Sequence, residues 1–243
     1  MNIVIFCRIG NKKKIKDKIL NLIPNDFNLY VEPFVGSGAI FLNVDLENKK
    51  SVINDLDKNI VQGHSAIKSG VTLDPKTFIF KDTQNNIYNK SVSSTNDKFL
   101  KSVITACGTF GAKGVGKLYL NISNASIRNK IKNAIKQKDH YNNTRIFNTD
   151  YKKIIKKFDS SKSFFYLDPP YESSKALYKD ETFDFDELSN ILKNIKGRFL
   201  LSLNDSPNIR NIFKNFKIIS ILVKGSNSEN IGKDRKELLI LNY

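Results

Sequence analysis

The chain is poor in the residues that carry most metal and redox chemistry. Its 243 residues hold two cysteines (Cys7 and Cys107), two histidines (His64 and His140), one methionine and no tryptophan. No CxxC or HxxH pair occurs, so a structural zinc site is not expected and no metal is called for. Two cysteines make no disulfide scaffold, and their scarcity suits a reducing, intracellular, cytoplasmic setting. No run approaches the roughly 18 apolar residues needed to span a bilayer. The opening MNIVIFCRIG is briefly apolar and runs into NKKKIKDK, without the charged-then-apolar order of a signal peptide. Acidic residues are also short: 24 Asp and Glu stand against 40 Lys and Arg, a formal net charge of +16. That balance favours a polyanionic partner such as nucleic acid, with an anionic membrane surface as the competing reading. The wealth of Lys, Asn and Ile also fits an AT-rich coding bias, which inflates the lysine count independently of function.

Hydrophobic spacing lays out alternating elements. Ile15, Ile19, Leu22 and Ile23 predict an amphipathic helix over 12–23, stopped at Pro24-Asn25-Asp26. LYVEPFVGSG (29–38) reads as a buried strand that breaks at glycines into a helix, AIFLNVDLE (39–47). SVINDLD (51–57) is a second strand ending in acids, and 58–69 has a helical pattern. Residues 70–98 differ, with strand-like VTL and FIF pieces giving way to a polar stretch. Four glycines then fall within 105–121, before a helix marked by Ile127, Ile131 and Ile135. Strands RIFNTD (145–150), SFFYLDPPY (163–171) and RFLLSLND (198–205) follow, interleaved with helices FDELSNILKNI and PNIRNIFKNF. Two closing strands, FKIISILVKG and KELLILNY, are expected to be antiparallel. Such alternation predicts an α/β fold, a mostly parallel twisted sheet with helices on both faces. Residues 1–69 and 145–243 form the sheet unit in this reading, and 70–144 an insert.

Ligands of such sheets bind outside the carboxyl ends of the strands, where this chain places its polar residues. Glu32-Pro33-Phe34-Val35-Gly36-Ser37-Gly38 puts a GxG between strand and helix, which lets backbone approach a ligand closely or simply makes the turn. Ile40 and Phe41 replace the third glycine of a dinucleotide fingerprint, and no GK[ST] follows, so phosphate binding is disfavoured. Asp55, at the next strand end, can take both hydroxyls of a ribose or cap a helix. Asp168-Pro169-Pro170-Tyr171 ends the most apolar strand. Two prolines fix φ near −65° and lack N–H groups, so carbonyls there can face a cleft. An acidic acceptor beside an aromatic face suits an exocyclic amine on a planar base, although a proline turn can also just cap a strand.

Here the motifs become specific. VEPFVGSGAIFLN and FFYLDPPY resemble the cofactor and catalytic motifs of the Dam-type (alpha-group) DNA adenine methyltransferases, in that group's order of cofactor motif, target-recognition insert and catalytic motif. Arg8-Ile9-Gly10-Asn11-Lys12, Val52-Ile53-Asn54-Asp55 and the closing KELLILNY are similar to further elements of the family. The resemblance spans 8–69 and 145–243 and implies a Rossmann-like methyltransferase fold with a small inserted target-recognition subdomain. It implies S-adenosylmethionine as methyl donor and double-stranded DNA as partner, without an obligate protein partner, as a monomer or weak dimer. RNA adenine methylation and a catalytically silent nucleic-acid-binding module are the alternatives.

Carried over residue by residue, the resemblance makes Asp168, Pro169, Pro170 and Tyr171 catalytic. The Asp168 carboxylate and Pro169 carbonyl accept from the target amine, and Tyr171 stacks on its ring. Gly10, Lys12, Glu32, Pro33, Phe34, Gly36, Ser37, Gly38, Asp55, Asp150 and Asp168 are implied around the cofactor. Glu32 lies near its methionine part in this reading, Asp55 at its ribose and Asp150 at its adenine amine. Lys12, Lys113, Lys117, Arg128, Lys130 and Lys175 are expected to meet nucleic acid, most of them in the 70–144 insert. His64, His140 and both cysteines are expected to be non-catalytic, the histidines because they sit in polar stretches far from the motifs.

Overall fold

The computed structural model describes residues 5–7, 12–80, 84–89, 91–109, 122–171, 183–223 and 235–243. Seven strands form one sheet: β1 (Leu29–Glu32), β2 (Lys50–Asn54), β3 (Thr144–Phe147), β4 (Ser163–Leu167), β5 (Arg198–Asn204), β6 (Lys217–Val223) and β7 (Arg235–Leu241). Their order is β3-β2-β1-β4-β5-β7-β6. The strands from β3 to β5 run parallel, and β7 runs antiparallel to both β5 and β6. The expected mostly parallel sheet and antiparallel closing pair are therefore present.

Central strands buried on both faces read as apolar runs, and SFFYL is buried throughout. Alternate residues serve opposite faces. Tyr30, Ile53, Phe164, Tyr166 and Leu200 pack into one core with α1 (Lys16–Leu20), α2 (Lys58–Ser69), α4 (Thr95–Gly108) and α5 (Asn124–Gln137). Val31, Val52, Phe165, Leu167 and Leu201 pack into the other with α6 (Tyr151–Phe158), α7 (Phe185–Lys193) and α8 (Pro207–Ile212). A short α3 (Gln84–Asn89) lies before α4.

Three local expectations are corrected. Residues 39–47 form no helix, only a 3-10 turn at Phe41–Asn43 followed by extended Val44. Ile40, Phe41, Leu42 and Val44 are all buried, so the segment has no polar face and runs through the core instead. The 12–23 helix is a 3-10 turn at Lys12–Lys14 and the single short α1. Within 70–98 the strand-like pieces form no strand among the described residues. The segment after them starts α4, whose N-cap Ser94 accepts from the Asp97 N–H. Phe99, Leu100, Val103 and the buried Ile104 give α4 its apolar stripe, and the first three lie in the main core with α2. The two cysteines form a disulfide, Cys7–Cys107, tying the amino-terminal segment to the end of α4. One bridge is not a disulfide scaffold, and its two residues are 100 apart in sequence, too far for spacing to reveal the pairing.

Candidate active site

The sheet changes direction at β1, whose neighbours are β2 and β4. Parallel pairing of β1 with β4, with Val31 opposite Phe165, sets the ends of LYVE and SFFYL side by side. The glycine loop and the Asp168-Pro-Pro-Tyr turn thus meet at the switch point of the sheet, where the ligand crevice of such folds lies.

Backbone geometry explains the loop's glycines. Gly36 has φ +46° and Gly38 φ +71°, conformations that disfavour side chains. A Cβ on Gly38 would also lie 2.9 Å from His64 Cε1, whereas one on Gly36 would meet nothing within 4 Å. The Gly36 N–H donates to Asp55 Oδ2 at 2.8 Å, and the other Asp55 oxygen accepts from the Asp57 N–H at 2.9 Å. Ser37 is buried beneath the turn. The buried Asn54 amide donates to the carbonyls of Pro33 and Thr149, both at 2.9 Å, and its oxygen accepts from the Thr149 N–H at 3.0 Å. One side chain therefore binds three strand ends together. Asn54→Ala is expected to lower stability by about 2–3 kcal/mol through the polar groups it leaves unsatisfied, seen as a lower urea midpoint at unchanged slope.

Along the crevice, Phe34, Tyr151 and Phe183 form an aromatic cluster with centroids 5.1 to 5.8 Å apart. Asp150 caps α6 by accepting from the Lys152 N–H at 2.7 Å. Leu56, beside Asp55, is 71% exposed. Aromatic and apolar walls with a few fixed carboxylates are what a flat heterocycle attached to a sugar requires. Glu32 lies deeper, 2% exposed, and accepts from the Tyr30 hydroxyl at 2.6 Å. Burial raises its carboxyl well above the usual range despite that bond.

The second half of the site is a buried charge cluster. Lys12 Nζ lies 2.7 Å from Asp168 Oδ1 and 3.1 Å from Glu237 Oε1 on β7, and donates to the Tyr171 hydroxyl at 2.5 Å. That hydroxyl donates in turn to Glu237 Oε1 at 2.8 Å, which also accepts from Ser202 at 2.6 Å. The Lys12 side chain is 3% exposed and that of Asp168 23%, so Asp168 and the half-buried Tyr171, not Lys12, open to the crevice. Burial pulls the Lys12 ammonium down, but Asp168, Tyr171 and Glu237 outweigh it and hold it well above its ordinary value. Desolvation pushes the Asp168 carboxyl up to about 6; Lys12 opposes the shift and Glu237 adds to it. Burial likewise raises the Tyr171 phenol, which therefore stays a donor. Pro169 is buried behind Asp168 and Pro170 half-buried. Nearby, the buried Tyr166 hydroxyl has no hydrogen-bond partner among the described residues, and Asp168, Glu32 and Glu237 all act on it. An orphaned donor among these acids is a group that a polar ligand would satisfy.

The expected nucleic-acid contacts fare differently. Lys113, Lys117 and Lys175 lie outside the described residues, as does Gly10, which was expected at the cofactor. Lys12 faces Asp168 and Glu237 rather than the surface, beside the carboxylate expected to hold the target amine. Lys130 is 8% exposed and donates to the Ile5 carbonyl at 2.7 Å, so it too is withdrawn from the surface, and burial lowers its pKa to about 8. Arg128 is half-buried and donates through Nε to the Phe78 carbonyl at 2.9 Å, tying α5 to the segment before α3. Lys132 and Lys136 remain exposed on α5. His64 is wholly buried against the glycine loop rather than in a distant polar stretch, and His140 bonds the Phe41 carbonyl at 2.6 Å. Asn54, Glu237 and His64 were missed as site residues. Asn54 had a local signal, a polar residue at a strand end, whereas Glu237 and His64 had none.

Strand order β3-β2-β1-β4-β5-β7-β6 with β7 alone reversed is the architecture of the Rossmann-like methyltransferases, and the protein is of this class. Within that class the description of D12 class N6 adenine-specific DNA methyltransferase matches residues 9–226, and the chain belongs to this family. It is 25% identical to a type II methyltransferase of Lactococcus lactis subsp. cremoris, over 96% of this chain and 93% of that one. It is 24% identical to a DNA adenine methylase of Haemophilus influenzae (91% and 86% covered) and 23% identical to a type II methyltransferase of Paramecium bursaria Chlorella virus NC1A (85% of each). Among solved structures, the C-terminal domain of precorrin-6Y C5,15-methyltransferase from Rhodobacter capsulatus matches with TM-score 0.46 at 9% identity, covering 98% of this chain and 93% of that one.

Proposed function

We propose that the chain transfers a methyl group from S-adenosylmethionine to the exocyclic 6-amino group of an adenine in double-stranded DNA. The observation that carries this is the meeting, on adjacent parallel strands, of the glycine loop held by Asp55 and the Asp168 carboxylate held by Lys12. The cofactor, when bound, supplies an electrophilic methyl on a sulfonium. Its ribose fits Asp55, its adenine the Phe34 and Tyr151 wall with Asp150 and Leu56, and its amino-acid end the deeper part near Glu32 and Tyr166.

An adenine amine is a poor nucleophile because its lone pair is delocalised into the ring. Asp168 Oδ2 and the Pro169 carbonyl would accept its two hydrogens, favouring a pyramidal nitrogen with its lone pair directed at the methyl. Lys12 already occupies Oδ1 and so fixes the carboxylate's orientation. Asp168, titrating near 6, can then take the proton that the methylated nitrogen sheds. A duplex base reaches this crevice only when flipped out, at a cost of a few kcal/mol, part of which stacking on Tyr171 would return. Residues 70–144 read the target in this proposal, with Lys132 and Lys136 on α5 facing phosphates. Among the described residues, no helix is long and apolar enough to cross a membrane.

The direct test incubates AT-rich duplex DNA and, separately, RNA with methyl-tritiated S-adenosylmethionine and digests each to nucleosides. Label in 6-methyladenine supports the proposal; label in RNA alone supports the RNA reading; no transfer with retained DNA binding supports a silent module.

A pH dependence follows as well. The folded Asp168 titrates near 6, above the roughly 3.9 of an unfolded aspartate. Below about 6 the carboxylate is protonated and loses an acceptor, so kcat/KM is expected to fall about tenfold per pH unit. The same raised value means that protonation favours the folded state: this group's contribution to stability is present at low pH and lost as pH rises through about 6. The decline in rate towards acid is therefore not explained by unfolding through Asp168. A profile from pH 5 to 8, beside unfolding midpoints, checks both signs.

A further inference from the structure

We infer that His64 is a positioning residue for the cofactor: with Tyr141 it holds the Gly36–Gly38 loop in its binding shape. The inference rests on the cofactor reading proposed above. Helix α2 starts at the Asp57 cap, whose side chain accepts from the Asn59 N–H, and carries His64 under the glycine loop. The imidazole is fully buried, edge-on to Phe6 at 5.1 Å and to Phe41 at 6.4 Å. A polar ring in such surroundings is costly unless its nitrogens are bonded. Nε2 lies 3.0 Å from the Gly36 carbonyl, and since a carbonyl only accepts, Nε2 carries the hydrogen. Nδ1 of a neutral ring then accepts from the Tyr141 hydroxyl, 2.8 Å away. Burial holds that phenol well above its usual range, so it remains a donor.

The consequence for the loop is specific. Gly36 has its amide held by Asp55 and its carbonyl by His64, on either side of a positive φ. Gly38, also at positive φ, rests directly on His64 Cε1. The imidazole is thus both floor and clamp of the turn that faces the crevice. Tyr141 closes the 3-10 turn Lys138–Tyr141 that follows α5, so the end of the insert sets the ring's hydrogen-bond direction.

The test is calorimetry of S-adenosylmethionine binding to the full chain and to H64F, H64Q and Y141F, with thermal unfolding and steady-state kinetics on the same samples. Phenylalanine keeps the packing and loses the hydrogen bonds, whereas glutamine can still donate to the Gly36 carbonyl. H64F is expected to bind the cofactor about tenfold more weakly, with KM rising in parallel and kcat at saturation within about twofold. H64Q should recover to within about threefold of wild type, and Y141F should fall between. Cofactor affinity in H64F within about twofold of wild type overturns the inference, as does an H64Q as weak as H64F, which marks a packing role only. Should H64F fail to fold, Y141F decides, and unchanged affinity there overturns it. No binding by the wild-type chain would instead bring down the cofactor reading, and this inference with it.

Discussion

Asp168→Ala is expected to lower kcat by at least about 100-fold while S-adenosylmethionine affinity changes little. The carboxylate is partly exposed, unlike the buried Lys12 and Glu237, and its Oδ1 accepts from Lys12. Its Oδ2 would act where charge develops on the target nitrogen, an interaction worth most in the transition state. The substitution should be tolerated structurally. Lys12 keeps Glu237 and the Tyr171 hydroxyl as partners, and the cluster passes from one excess negative charge to neutrality. Asp168→Asn is expected to be nearly as inactive, because with Oδ1 still facing Lys12 the amide nitrogen would oppose the hydrogens of the amine. Single-turnover kinetics with calorimetry separates chemistry from binding, and turnover within about tenfold of wild type would show that another group does the work.

Lys12→Met is the second large effect, and it acts through charge. The ammonium is the shared partner of Asp168, Glu237 and Tyr171. Removing one member of a buried ion pair leaves uncompensated charge and costs roughly 3–5 kcal/mol. Since Lys12 is what lowers the Asp168 value, its loss should push that value above 6 and carry the acid limb of the rate profile towards neutral pH. Stability loss should be greatest at high pH, where the Asp168 carboxylate is ionised, and shrink as pH falls and it protonates. Adding Glu237→Gln should restore much of the stability without restoring activity. If Lys12 met DNA phosphate instead, the acid limb would stay in place and the salt dependence of DNA binding would flatten by about one unit.

The strand-end motifs were legible because each is local. A glycine pair after LYVE, an acid after SVIN and a double proline after SFFYL are carried by neighbouring residues, and their roles follow from backbone constraint and side-chain chemistry. The helix α4 was also written locally, in Ser94, Asp97 and the stripe Phe99, Leu100, Val103 and Ile104, although the polar run before it masked the signal. The basic residues misled for a different reason. Arg128 and Lys130 belong to an amphipathic helix, and composition does not say which lysine turns inward to meet a carbonyl.

The sequence by itself determined the class of fold, the positions of the two motifs and the reaction they suit, since alternating apolar runs and turn chemistry encode single elements. Only the tertiary structure decided which distant groups complete the site. Glu237 meets Lys12 and Tyr171 because β7 inserts beside β5, and His64 meets Gly36 and Tyr141 because α2 packs under the loop and α5 returns beside it. Such meetings depend on strand order and helix packing, which arise from the whole core rather than from any stretch of residues. The scarce residues show the same division: two histidines and two cysteines gave, by their number and spacing, no reason to expect a zinc site, while their burial, bonding and pairing came from the fold.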